Sequence, residues 1–227
     1  MSKCQHCIAR QFNSMNSLTK DELKHVSDCK KDKTYKKGDV IFNEGMILNG
    51  VYCVRSGICK LTKLNANGNE QTVKLLGVGD LIGQRSIISN EKTNLSAVAL
   101  NDIELCFVPK QEILNGLQNN RDFSLDVLQH LAHDLKDAED DLVNMAQKSV
   151  KQRLSETLLY LHNNFGTDEN EFLTVILSRE DYANIVGTAT ESAIRILSQF
   201  KKDGYISTSG KNIKIEDLEG LKKINAI

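Results

Sequence analysis

No stretch of the chain approaches the roughly 18 consecutive apolar residues that read as a membrane-spanning helix. The segment MSKCQHCIARQF has no long apolar run and no small-residue cleavage site, so it does not read as a secretory signal, and a cytoplasmic setting is expected. Neither sign of charge dominates. The formal net charge is -1, which removes any whole-chain electrostatic argument for nucleic acid. Common catalytic signatures are missing: there is no GxSxG, no Walker loop and no HExxH. GVGDLIG is glycine-rich, but it reads as lacking both the lysine–serine ending and the helix of a phosphate loop. A non-enzyme is therefore expected. The 6 cysteines do not read as a disulfide framework, because a 227-residue chain can fill a core without staples and a reducing compartment is expected.

What is present is strongly regional. Residues 1–40 hold nine Lys or Arg against five acids, residues 121–147 two against seven, and residues 148–227 eleven against eleven. SLTKDELKHVSD predicts a short helix with Thr19 as cap, Glu22 three positions on, and a mixed face of Leu18, Glu22 and Val26. Residues 34–108 carry short runs rich in Val, Ile, Leu and Thr, punctuated by glycines at 38, 45, 50, 57, 68, 77, 79 and 83. Short strands between close turns predict an all-β barrel or roll. The single proline, Pro109, follows the last run and can open a helix at KQEILNGLQ.

Beyond residue 121 the period changes. Leu128, Leu131, Leu135, Ala138, Leu142 and Met145 are spaced 3, 4, 3, 4, 3, a heptad seam. It predicts a parallel two-stranded coiled coil and hence a homodimer; the alternative is one long helix packed on its own domain. Acids at 134, 137, 139, 140 and 141 suit the flanks but do not aid self-pairing, so the apolar seam must carry association.

From residue 148 a third pattern starts. VKQRLSETLLYLHNNFG predicts a helix with Val150, Leu154, Leu158 and Leu161 on one face and Gly166 past its end. FLTVILS predicts a short strand. Ser178 caps REDYANIV with Asp181 in a looser capping box, Gly187 turns the chain, and Thr188 or Thr190 begins the next helix. YISTSGKNIKI predicts a hairpin turning at Gly210. Helix, turn, helix and two-stranded wing make a winged helix-turn-helix. The expected fold is thus α+β: an arm over 1–17, a β-roll domain over 18–120, a dimerisation helix over 121–147 and a winged helix-turn-helix over 148–227.

In TATESAIRILSQFKKDGYI, Thr190, Glu191, Arg195 and Gln199 share one helical face, while Ala193, Ile196, Leu197 and Phe200 share the other. Glu191 can accept from cytosine N4, and Arg195 can address guanine O6 and N7. Thr190 and Ser192 can touch a thymine methyl or a phosphate. A Glu–Arg pair at i,i+4 is also an ordinary surface salt bridge; the capped preceding helix, Gly187 and the wing favour double-stranded DNA. Arg179, Thr188, Lys201, Lys202, Lys211 and Lys214 are then the candidate phosphate contacts. A structural or interaction protein would explain the heptads but not the winged domain.

YKKGDVIFNEG, VYCVRSGICKLTKLNANGNEQTV, GDLIG, NLSAVALNDIELCFVPKQEI, QKSVKQRLSETLLYL and LSREDYANIVGTATESAIRILSQFKKDGYI stand in the order found in the cyclic-AMP receptor and fumarate–nitrate-reduction regulator (Crp/Fnr) superfamily, which the chain resembles over nearly its whole length. The resemblance implies that the β-roll over 18–120 is a cyclic-nucleotide-binding-like sensor domain, and it implies a dimerising helix, DNA half-sites resembling TTGA or GTGA, and RNA polymerase as a partner. It also exposes departures. Gln84 stands where cyclic-nucleotide-binding members carry a ribose-binding glutamate, and Asn94 and Leu95 replace their arginine and serine. Arg85 and Lys92 are the nearby cations. No response to cyclic AMP is expected.

The resemblance bears on the cysteines too. Cys4 and Cys7 match two amino-terminal ligands of members that carry a 4Fe–4S cluster, and Cys106 in ELCFVPK matches their distant ligand. The third amino-terminal cysteine is missing, since residues 8–28 contain none; Cys29, His6 or His25 would have to substitute. Three readings stand: a cluster on Cys4, Cys7, Cys29 and Cys106 sensing oxygen or nitric oxide, a zinc or thiol redox site, or no cofactor, which is the expected state. Cys53 and Cys59 read as small buried hydrophobes, and His130 and His133 as surface residues.

Overall fold

The computed structural model describes residues 7–66 and 68–225. It divides into two compact units, residues 1–63 with 73–137 and residues 64–72 with 138–227. The boundary falls inside the long helix, and the turn between two roll strands groups with the second unit. Among the described residues no helix is long and apolar enough to cross a membrane.

The described residues of the first unit begin with two 3-10 turns, Ile8–Phe12 and Ser14–Ser17, and the helix α1, Lys20–Cys29. Thr19 caps α1: its side chain accepts from the Glu22 N–H at 3.3 Å, while Glu22 Oε2 accepts from the Thr19 N–H at 2.7 Å. Then come β1 (Lys31–Tyr35), β2 (Val40–Phe42), β3 (Gly50–Ser56), β4 (Cys59–Leu64), β5 (Glu70–Leu76), β6 (Leu81–Ile82), β7 (Ser96–Ala99) and β8 (Ile103–Pro109). They form two four-stranded sheets, ordered β1-β8-β3-β6 and β2-β7-β4-β5. Val51, Val54, Cys59, Ile82, Ala97, Leu105 and Val108 fill one shared core.

A short helix, α2 (Gln84–Ser89), follows β6, and Gly83 enters it at φ 87°, a conformation open to glycine. The glycine-rich segment therefore does lead into a helix, contrary to the expectation from sequence, although the lysine–serine ending of a phosphate loop is still missing. Pro109 is the last residue of β8 and the cap position of α3 (Lys110–Asn119), the predicted helix start. The long helix α4 covers Arg121–Gln147, and Phe123 and Val127 in its first turns are buried in the roll core.

The second unit holds α5 (Val150–Phe165), α6 (Arg179–Val186), α7 (Thr190–Lys202), β9 (Ile206–Ser209), β10 (Asn212–Ile215) and α8 (Leu218–Asn225). FLTVILS is not a strand, contrary to the expectation from its pattern. Leu173, Val175 and Leu177 are buried and Ile176 is exposed, so the alternation is real. The segment makes only the single bridges Thr167–Leu173 and Phe172–Lys214, with no continuous ladder for it to join. The last helix, α8, has no counterpart in the sequence reading; its Leu221 is fully buried and its carbonyl accepts from Ser155 Oγ of α5 at 2.7 Å.

Candidate nucleic-acid interface and sensor cavity

Ser178 starts α6 with both arms of a capping box: its N–H donates to Asp181 Oδ2 at 2.9 Å, and its Oγ accepts from the Asp181 N–H at 3.0 Å. Gly187 ends the helix at φ 66°, with its N–H on the Ala183 carbonyl. That turn sets α7 against α6 through buried Tyr182, Ala183 and Val186 on one side and Ala193, Leu197 and Phe200 on the other. Burial holds the Tyr182 phenol well above its ordinary pKa. Thr190 is the first residue of α7, and the cap position is Ala189, which offers no side-chain acceptor.

With its apolar face committed, α7 leaves Glu191 and Arg195 exposed and Thr190 and Ser192 half-buried. Among the described residues no ion pair joins Glu191 to Arg195. Gln199, one turn further on, bonds Asp203 at 2.6 Å, so it is held to its own helix end.

The candidate phosphate contacts divide. Lys202 and Lys211 are exposed, at the end of α7 and in the wing turn, and Thr188 is half-buried in the turn itself. Lys201 reaches Thr208 of β9 at 3.1 Å, tying helix to wing. Arg179 gives Nη2 to the Gly210 carbonyl at 3.4 Å, so part of its guanidinium supports the wing turn. Lys214 is paired with Glu171, which raises the lysine's pKa and lowers the carboxylate's. Its ammonium is thus already engaged by a carboxylate, unlike that of Lys211.

The heptad seam lies open along α4. Leu128 is 62% exposed, Leu135 61% and Leu142 72%, with Ala138 and Met145 also exposed. Leu131 differs, since it is half-buried against the roll core. His130 and His133 are exposed beside the seam.

The segment corresponding to a phosphate cassette makes polar contacts of its own. Arg85 Nη1 pairs with Glu91 Oε2 at 3.1 Å. Thr93 is buried, donating from Oγ1 to the Asn43 carbonyl at 2.8 Å and accepting from the Met46 N–H at 3.1 Å. The Asn94 carbonyl accepts from Lys63 at 3.3 Å, Leu95 is half-buried, and Lys92 is exposed. Arg85, the cation nearest the motif, is thus paired with an exposed carboxylate.

The cysteines fall differently from their sequence grouping. Cys7, Cys53 and Cys106 line one cavity of about 20 Å³, room for one water, together with Arg10 and Lys30. Lys30 Nζ lies 3.3 Å from Cys106 Sγ, and Asp32 Oδ1 3.4 Å from the same sulfur. Burial raises the Cys106 thiol above its ordinary pKa, with Lys30 opposing. Cys59, in the roll core, is pushed up to about 12 by burial, with Asp80 adding to the rise. Cys29 is exposed at the end of α1 and does not line the cavity. Cys4 and His6 lie outside the described residues.

Among the described residues three thiols, Cys7, Cys53 and Cys106, gather here, one fewer than the four that hold a 4Fe–4S cluster. Among the described residues no group of three or more His, Cys, Asp or Glu could hold a metal ion. Beside the thiols stands buried Asn13, whose Nδ2 reaches the Gly79 carbonyl at 2.8 Å, the Ala9 carbonyl at 3.1 Å and Cys53 Sγ at 3.4 Å. An amide so engaged is no substitute for a thiolate on soft iron. Protein purified without oxygen is expected to carry no stoichiometric iron; about four irons per chain by metal and sulfide analysis, lost in Cys106→Ser, would overturn this.

A β-roll, a long helix with an open apolar seam and a winged helix-turn-helix together define a class of DNA-binding transcription regulators. Comparison with known proteins makes the assignment specific. Residues 32–120 match the cyclic nucleotide-binding domain family, and residues 152–224 the Crp-like helix-turn-helix domain family. The anaerobic regulatory protein of Haemophilus influenzae is 28% identical over 223 residues, covering 96% of this chain and 86% of that one. The fumarate and nitrate reduction regulatory protein of Escherichia coli is 27% identical over 227 residues, covering 97% and 89%. FixK2 of Bradyrhizobium japonicum shares the fold with a TM-score of 0.79 at 23% identity, covering 87% of this chain and 98% of that one. A Crp/Fnr-family regulator of Thermus thermophilus does so at 0.74 and 24%, covering 87% and 99%. The chain belongs to the Crp/Fnr superfamily and is a transcription regulator of that type.

Proposed function

We propose that the protein acts as a cytoplasmic homodimer, reads a pseudo-palindromic DNA site through α7, contacts RNA polymerase from there, catalyses no reaction and does so without cyclic AMP. The observation that carries this reading is the free pair of Glu191 and Arg195 on the exposed face of α7. Their helix is locked from behind by Ala193, Leu197 and Phe200, so the polar face is rigidly presented. Two such heads on one two-fold axis select half-sites about one helical turn apart. Selection from random duplexes tests it: the expected product is an inverted repeat of TTGA- or GTGA-like half-sites, and enrichment of no symmetric sequence would overturn it.

Independence from cyclic AMP rests on the cassette. A cyclic phosphate leaving water needs a matched cation or a dense set of donors. Arg85 would have to leave Glu91 to supply one. Calorimetry on the purified protein is expected to show no submicromolar affinity for cyclic AMP, and DNA binding is expected to be the same with and without it. A submicromolar constant would mean that Arg85 or Lys92 rebuilds the site.

A further inference from the structure

The joint between α4 and α5 is only two residues long, Lys148 and Ser149. Ser149 caps α5, its Oγ accepting from the Gln152 N–H at 3.3 Å and its N–H donating to Gln152 Oε1 at 2.9 Å. Nothing in that cap fixes the angle at which α4 arrives. The last turn of α4 also ends with carbonyls that have no partner within the helix. Arg153, one turn into α5, folds back onto the joint. Its Nη1 donates to the Lys148 carbonyl at 2.6 Å and the Met145 carbonyl at 3.2 Å. Its Nε donates to the Val186 carbonyl at 2.8 Å.

Val186 is the last residue of α6, directly before the Gly187 turn that aims α7. One planar guanidinium therefore holds the carboxyl ends of two helices, where a cation is favoured by both dipoles. A second contact closes the same joint: a Cβ on Gly187 would meet the Met145 thioether at 3.4 Å, so the end of α4 already packs against that turn. The rigid fork suits this task. A lysine's single ammonium has no comparable geometry for reaching both helix ends at once.

We infer that Arg153 is a positioning residue that fixes the reading helix relative to the carboxyl end of the dimer helix, and so sets which half-site separation the dimer accepts. This rests on the reading of the protein as a dimer with two DNA-reading heads. Arg153 touches no base in this role. It determines how well the second head is placed once the first has bound, a matter of effective concentration.

The test measures binding to duplexes carrying the selected inverted repeat and to others with the half-site separation lengthened by one or two base pairs. Wild type should discriminate between them by more than about tenfold. Arg153→Ala should bind the native spacing about tenfold more weakly, yet lose no more than about threefold on lengthening, because its heads are no longer held in one relation. Arg153→Lys, which keeps charge and stem, guards against a folding defect and should show the same loosened preference. Dimer mass and base preference within each half-site should not change. Full wild-type spacing discrimination in a folded Arg153→Ala or Arg153→Lys dimer would overturn the positioning role alone. A wild type that shows no spacing preference would overturn it together with the two-headed reading.

Discussion

Leu135→Asp is expected to convert the dimer into monomers at micromolar concentration. Leu135 sits at the centre of the open seam, flanked by Leu128 and Leu142, and is 61% exposed in the single chain. Each leucine fully buried by a partner contributes about 1.5–3 kcal/mol, and symmetry doubles every position. An aspartate there would place two like charges face to face in an apolar interface, each without a partner. The flanks give no reserve, because acids 134, 137, 139, 140 and 141 repel their counterparts. Asp134 among them is paired with Lys74 at 2.5 Å. Sedimentation of wild type and variant decides the matter, and helix content should hold because Leu135 contributes nothing to the core of the single chain. A variant that keeps the dimer mass would place the interface elsewhere.

That prediction uses a feature fully legible in the sequence, the heptad spacing. The exception within it, Leu131, was not legible, because a half-buried contact with the roll looks the same in a repeat as a contact with a partner helix. The same division runs through the molecule. The capping boxes at Thr19 and Ser178 depend on residues three apart, and both helices begin where that local chemistry requires; the same spacing at Ser149 and Gln152 caps α5, a box absent from the sequence reading. β1 was missed because Lys31, Asp32 and Lys33 carry no apolar alternation; it exists because its backbone pairs with β8. α8 and the FLTVILS segment likewise take their conformations from tertiary partners, α5 and β10.

Among the site residues, Glu191 and Arg195 stand out because helical periodicity separates them from a buried face. Lys214 could not be told from Lys211 by sequence, since only folding brings Glu171 to one and not the other. Cys53 was legible as a buried strand residue but not as a neighbour of Cys7 and Cys106. Its register partner across the sheet is Cys106, a relation set by strand pairing over fifty residues of intervening chain. Arg153 gave no signal of its own, because its three acceptors are main-chain carbonyls, and any sequence supplies those.

Arg195→Ala is expected to weaken binding to the preferred duplex by about 1–3 kcal/mol and to relax the preference at one G·C pair in each half-site. The guanidinium is exposed and is not ion-paired to Glu191 among the described residues, so its removal should leave folding stability within about 0.5 kcal/mol. Any loss of affinity then reports recognition. Arg195 lies one turn beyond Glu191 on the same face, which lets the pair address a guanine and a cytosine from one helix. Lys211→Ala provides the contrast. It stands exposed in the wing turn, and a phosphate contact there should weaken every sequence alike while lowering the salt slope by about 1. Binding to a panel of single-base variants at two salt concentrations separates the two behaviours. If Arg195→Ala keeps the wild-type ranking of that panel, the base-reading role belongs to other residues of α7, and the exposed arginine is a backbone contact after all.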